Sequence, residues 1–246
     1  MSTATHDHDT DPNRPKHLAM HFDSMQQQYD TGKLGMWLFL ATEFLFFGGL
    51  FCAYSVYRGN HPEIFHYGQY FLDWRLGGLN TIVLITSSLT AAWSVRAAQM
   101  NDMKTLRLTI ILTIICAVIF MVVKYFEYTH KIKHGIHWGG SNDFKPSTEE
   151  MEHVKHLSNG VINEAMMEGT YIREMLGTFF AVYFCMTGLH GIHVTVGIGL
   201  YIWLLMRTNR GDFGSQNFAA VDNVALYWHV VDIIWIFLFP LLYLIG

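Results

Sequence analysis

The stretch Leu34–Tyr57 reads LGMWLFLATEFLFFGGLFCAYSVY and carries one charged residue, Glu43. A helix needs roughly 20 apolar residues to cross the hydrocarbon layer, whereas a membrane β-strand needs only about ten, in alternation. This run is long enough for a helix and does not alternate. Outward along the chain, four more segments pass the same test: Leu76–Val95, Leu106–Phe126, Leu176–Met206 and Val224–Ile245. The expected fold is all-α, a polytopic membrane helix bundle with five transmembrane helices. It forms one membrane domain over 34–246, after a polar tail over 1–33. That tail lacks the basic start and adjoining apolar core of a signal peptide, so the first span is expected to drive insertion itself.

Composition agrees with this reading. Of 246 residues, 51% are hydrophobic and 15% charged, where a soluble domain carries about a quarter charged. The net charge of −4 comes with no basic cluster, which argues against a nucleic-acid partner. Cys52, Cys116 and Cys185 each sit alone in an apolar run and read as small hydrophobes, with no spacing for a disulfide, zinc or copper site.

The flanking cations set the expected orientation. Arg14, Lys16, Lys33, Arg96, Lys104, Arg107, Arg207 and Arg210 fall on one side, against Arg58 and Arg75 on the other. The N-terminus is therefore expected to be cytoplasmic and the C-terminus outside. The second span is polar, with Asn80, Thr81, Thr86, Ser87, Ser88 and Thr90, and belongs inside a bundle where such groups find partners. The fourth is longer than a perpendicular crossing needs, which predicts tilt or extension. The connection 127–175 is the one sizeable soluble piece. In it Ser147–Thr148–Glu149–Glu150 forms a capping box, with Met151, Val154 and Leu157 as the apolar stripe of a short surface helix.

Ionisable groups inside spans are expensive and mark candidate sites. Glu43 lies roughly 14 Å into the first span at 1.5 Å per residue. It reads either as a buried proton-exchanging or lipid-contacting carboxyl, or as a neutral acid satisfied by a neighbouring helix. His190 and His193, in GLHGIHV, share one helix face. Two haem ligands would need facing partners, and His229 is the other histidine within a span, so bonds across helices are the favoured reading. His229 and Asp232, one turn apart, form an expected helix-locking pair, with a proton path as the alternative. Thr187, Gly191, Thr195 and Gly199 repeat every fourth residue and predict close packing by another helix. His130, His134 and His137 have helical spacing, but neighbouring glycines argue against a metal site. His6 and His8 read as solvated. No phosphate loop, dinucleotide fingerprint or cysteine ligand set is present in the sequence.

Several of these segments, in this order, resemble the cytochrome c oxidase subunit III family. Besides the first span with Glu43 they are LNTIVLITSS (Leu79–Ser88), FEY (Phe126–Tyr128), EGTY (Glu168–Tyr171), TGLHGIHV (Thr187–Val194) and YWHVVDIIWIFLF (Tyr227–Phe239). The resemblance covers nearly all of 34–246 and corresponds to a five-helix bacterial form, lacking the first two helices of seven-helix members. It implies a subunit with no catalytic centre, metal or cofactor of its own. Such a subunit packs on oxidase subunit I, which holds haems and copper, beside subunit II and a cytochrome c or fused cytochrome domain. It holds phospholipid and supports proton uptake in the bacterial cytoplasmic membrane. Glu43, His190, His193 and Arg207 are then the lipid-cleft or proton candidates, Arg207 matching an arginine that meets a lipid head group. The accessory proteins of nitric oxide reductase and quinol oxidase are alternatives within the superfamily. A haem-bearing, quinone-oxidising membrane anchor and a small transporter are different classes, the latter without the repeats it would need.

Overall fold

The computed structural model describes residues 18–136, 145–158, 170–215 and 217–245, and for Thr170, Tyr171 and Arg173 the backbone alone. Among these residues the secondary structure is helical, apart from an isolated bridge between Gly214 and Asn217. Five helices are long and apolar enough to cross a membrane, as expected. They lie in α1 (Met25–Asn60), α3 (Trp74–Gln99), α4 (Met103–Lys133), α6 (Thr170–Arg210) and α7 (Ala219–Phe239). Two short helices, α2 (Pro62–Gln69) and α5 (Thr148–Leu157), accompany them, and α7 ends in a wider turn over Pro240–Leu244. α1 begins inside the stretch read as a polar tail, because Ser24 caps it by accepting from the Gln27 amide at 3.1 Å.

The other starts are capped by the same chemistry, satisfying amides that have no partner within the helix. Asp73 accepts from the Arg75 amide at 2.9 Å, and Asp102 from the Lys104 and Thr105 amides at 3.2 Å. The Thr105 hydroxyl and amide hold the Asp102 carboxyl below its ordinary range. Asn101 adopts φ 60° to close the tight turn joining α3 to α4, a conformation that asparagine tolerates. At α5, Ser147 accepts from the Glu150 amide at 3.3 Å, as the capping box predicts. The reciprocal half is replaced by a tertiary bond, since the Ser147 amide donates to the His134 carbonyl at 2.9 Å.

α7 is the centre of the bundle. It packs against α3, α6 and α1, while α3 and α4 form the most extensive helix pair. Half of the apolar window of α7 is buried, against 11% for α1, so α1 lies on the periphery and touches the bundle through Leu40, Phe47 and Tyr54. Part of the polarity of α3 is explained here, while Asn80 is buried with no hydrogen-bond partner among the described residues. Trp228 donates to Ser87 at 2.9 Å, Trp235 donates to Thr81 at 3.1 Å, and Thr90 meets Thr113 at 2.8 Å. The close approach of α6 to α7 occurs at Gly197, where a Cβ would lie 2.5 Å from the Trp228 ring. The predicted stripe behaves differently. An added Cβ at Gly191 or Gly199 would meet nothing within 4 Å and Thr195 is exposed, so of the stripe Thr187 alone packs inside this chain, against Tyr128 of α4.

Candidate functional site

Glu43 and His193 are brought together from α1 and α6. His193 Nε2 lies 2.8 Å from Glu43 Oε2, and its Nδ1 lies 2.7 Å from the Leu189 carbonyl. A carbonyl only accepts, so Nδ1 carries a hydrogen. The Glu43 contact then holds one proton, either on the carboxyl or on the ring, and its position decides between a neutral hydrogen bond and an ion pair. The two side chains are 21% and 18% exposed. Tyr227 donates to the His193 carbonyl at 2.9 Å, and the Phe47 ring stands edge-on to the imidazole. Beside them a groove of about 370 Å³ runs past Met36, Phe39, His193, Asn223 and Tyr227.

His190 is not in this contact. It is fully buried between Phe120 and Trp235, with ring centroids 5.5 and 5.1 Å away, and its nitrogens have no hydrogen-bond partner among the described residues. The expectation of histidines bonded across helices thus describes His193 and not His190. His229 and Asp232 do not bond each other. His229 Nδ1 is 2.7 Å from the Ser88 hydroxyl on α3, and the buried Asp232 carboxyl is left without a partner in that direction. Three residues apart, the two side chains lie on the same face of α7, and the Ser88 hydroxyl on α3 takes the imidazole in place of the local contact. Arg207, at the end of α6, donates to Asp212 at 3.1 Å and stacks over Trp203 and Phe213.

A cluster that sequence reasoning missed lies on α4, toward the face that carries α2 and α5. Lys124, Glu127 and Lys131 are all buried. Lys124 donates to Glu127 Oε2 at 2.9 Å and to the Tyr243 hydroxyl at 2.7 Å. Glu127 Oε1 accepts from Tyr183 at 2.8 Å and from Tyr243 at 2.6 Å, with Lys131 3.8 Å away. Lys131 donates to the Phe71 carbonyl at 3.0 Å. One carboxylate is therefore saturated by three elements, and two ammonium groups accompany it, arranged so that each charge is paired or hydrogen-bonded. The signal was present in the KYFEYTHK run, where cations stand three before and four after Glu127. The hydropathy of the window hid it, because Lys131 falls beyond Phe126.

The remaining candidates are quickly placed. His130 and His134 stack with ring centroids 4.2 Å apart, and His134 Nδ1 is 3.0 Å from Ser147. His137, His6, His8 and most of EGTY lie outside the described residues. Cys52, Cys116 and Cys185 are unpaired. At the opposite end of the bundle Asp222 binds both Tyr29 at 2.8 Å and Lys33 at 3.1 Å, tying α1 to α7.

Comparison with known proteins places this geometry. The family model described as "Cytochrome c oxidase subunit III" matches residues 18–138 and 166–246. Cytochrome c oxidase subunit 3 of Corynebacterium diphtheriae is 30% identical over 214 residues, 86% of this chain and 87% of the relative. The Thermostichus vulcanus protein of the same name is 28% identical over 228 residues, 92% and 94% of the two chains. The probable quinol oxidase subunit 3 of Staphylococcus haemolyticus is 25% identical over 224 residues, 91% and 94%. The stretch 139–165, which the family model leaves unmatched, falls within the long connection between α4 and α6.

Proposed function

The chain belongs to the cytochrome c oxidase subunit III family, and on that premise we propose that it is the non-redox subunit III of a proton-pumping haem-copper terminal oxidase. The observation that carries this reading is the family match across all five spans. In this role the chain packs on the subunit I that holds haem and copper, beside subunit II and a cytochrome c or fused cytochrome domain. Its N-terminus faces the cytoplasm of a bacterial cell. The tail 1–33 and the membrane domain 34–246 then divide the chain, with 127–175 outside.

The site residues take positioning roles. Glu43 and His193 join α1 to α6 beside an apolar groove suited to an acyl chain, and Arg207 stands at the end of α6 where a phosphate head group would meet it. His190 is a packed core group, and His229 and Asp232 serve the α3–α7 contact. A chain built this way supports proton uptake and active-site stability in its partner, through lipid and helix packing.

The test is affinity purification in mild detergent, with identification of co-purifying chains and a visible spectrum. The expected result is a complex whose haem absorption stays with the remaining subunits when this chain is stripped away, the isolated chain being colourless. A haem band in the isolated polypeptide would sink the reading in favour of a haem-bearing membrane anchor. The match to a probable quinol oxidase subunit 3 supports a second reading, in which the complex oxidises quinol. A co-purifying subunit II without a copper centre would select it, and a co-purifying nitric oxide reductase would select the remaining relative.

A further inference from the structure

The end of α4 that carries α2 and α5 holds a pair of histidines that the buried cluster does not use. In the sequence, neighbouring glycines argue against a metal site here, yet in the structure the first of them follows the helix. The His134 amide donates to the His130 carbonyl at 3.0 Å, so the helical register runs through His134, and Gly135 at φ 77° ends it. His130 and His134 therefore stand one above the other, at the i, i+4 spacing that brings Cβ atoms to roughly 5–6 Å. Their rings are in contact, with centroids 4.2 Å apart and planes inclined by 35°.

Two further features suit the pair to a metal ion. His134 Nδ1 lies 3.0 Å from the Ser147 hydroxyl, whose oxygen also accepts from the Glu150 amide. When Nδ1–H donates to Ser147, the Nε2 lone pair is free, and an outer partner of this kind fixes the tautomer and ring orientation of metal-bound histidines. His130 is exposed and lines a pocket of about 640 Å³ together with Asp73, Arg75, Glu127, Lys131, Glu150 and His153. Counting Lys124 behind Glu127, three carboxylates there meet three cations. The surroundings are thus close to neutral and do not repel a cation, and Lys131 is turned inward to the Phe71 carbonyl.

We propose that His130 and His134 bind a divalent ion of the zinc class, through one nitrogen of each ring, at the end of α4. Imidazole ligands suit zinc, copper and nickel, whereas magnesium and calcium take oxygen ligands. Among the described residues no third His, Cys, Asp or Glu joins the pair, so water completes the coordination and the ion is exchangeable. Turning the exposed His130 ring about its side-chain bonds converts the stacked contact into convergence on one ion. Zinc carries no electrons. The site therefore goes beyond the reading of the chain as a non-redox oxidase subunit and does not depend on it.

The test uses the full chain purified in mild detergent without a polyhistidine tag. His6→Ala and His8→Ala are present throughout, so that the tail adds no ligands. Zn²⁺ and Cu²⁺ are titrated in competition with a chromogenic chelator, in the presence of excess Mg²⁺. The expected result is one tightly held ion per chain, with Cu²⁺ bound more strongly than Zn²⁺. The electron paramagnetic resonance spectrum of the Cu²⁺ form should show splitting from two imidazole nitrogens. His130→Ala and His134→Ala should each weaken binding on the order of 10²-fold, the upper end of the loss seen when an outer partner of a ligand is removed. Ser147→Ala, which removes such a partner, should weaken it on the order of 10-fold. If His134→Ala does not fold, His134→Gln keeps a bond to Ser147 and should show the same loss. Unchanged affinity in either histidine variant overturns the site. Displacement of Zn²⁺ by Mg²⁺ overturns it too, by placing the ion on the pocket carboxylates.

Discussion

The Glu127 cluster and the Glu43–His193 pair are two answers to one problem, a carboxyl in a membrane helix. Glu127 is 3% exposed and held by Lys124, Tyr183 and Tyr243, with Lys131 close by. Glu43 is 21% exposed and held by one imidazole, beside an open groove. In the first, Tyr183 and Tyr243 tie α6 and the turn after α7 to α4, so the charge organises the bundle. In the second, a single contact links a peripheral helix to its neighbour, and one proton can sit on either side of it. The difference shows that the number of elements converging on a buried charge, more than its depth, decides whether it is structural capital for the whole fold or a local contact.

Glu127→Ala should separate the two most sharply. It leaves two lysines buried without their carboxylate, and breaking a buried pair in this way costs about 3–5 kcal/mol. The expected outcome is a large fall in detergent-solubilised thermal midpoint, or loss of the chain from the membrane. A midpoint within a degree or two of the unmodified chain would place Glu127 with Glu43. Gly197→Ala comes next, because its methyl group would press into the Trp228 ring and overpacking costs about 1–3 kcal/mol. Gly191→Ala, on the open face, should leave the isolated chain's midpoint unchanged, and an effect there would appear only in assembly with partners.

Glu43→Gln should be milder still. Interhelical hydrogen bonds in membranes are worth about 0.6 kcal/mol on average, and glutamine can still donate to His193 Nε2. Assembly and oxygen reduction should persist, and abolished activity would show that the carboxyl is catalytic. A double-mutant cycle with His193→Ala measures the pair directly. The smallest effect concerns pH and Asp102. Its carboxyl is held below its ordinary range by Thr105, so its stabilisation is present above the unfolded-state pKa and fades as pH falls through the lowered folded-state value. Asp102→Asn should slightly flatten the acid limb of a midpoint-against-pH curve without moving the neutral plateau.

The candidate site was partly legible. Glu43 and His193 stood out because an ionisable group in an apolar run is conspicuous, and the structure unites them. His229 and Asp232 stood out for the same reason, yet Ser88 takes the imidazole. Lys124, Glu127 and Lys131 did not stand out, because they straddle the end of the apolar window where charges are ordinary. Their burial comes from α2, α5 and the turn after α7 closing over that end.

By itself the sequence determined the five spans, their order, the polar character of α3 and the cap at Ser147. These follow from local rules, since a backbone in lipid must satisfy its own hydrogen bonds and long apolar runs have one way to do so. The tertiary structure decided which side chains meet. Glu43 finds His193 across 150 residues, and Glu127 finds Tyr183 and Tyr243 across 56 and 116. Such pairings depend on helix rotation and neighbour identity, which are set by packing among Trp228, Gly197, Phe120 and Trp235 rather than by spacing along the chain.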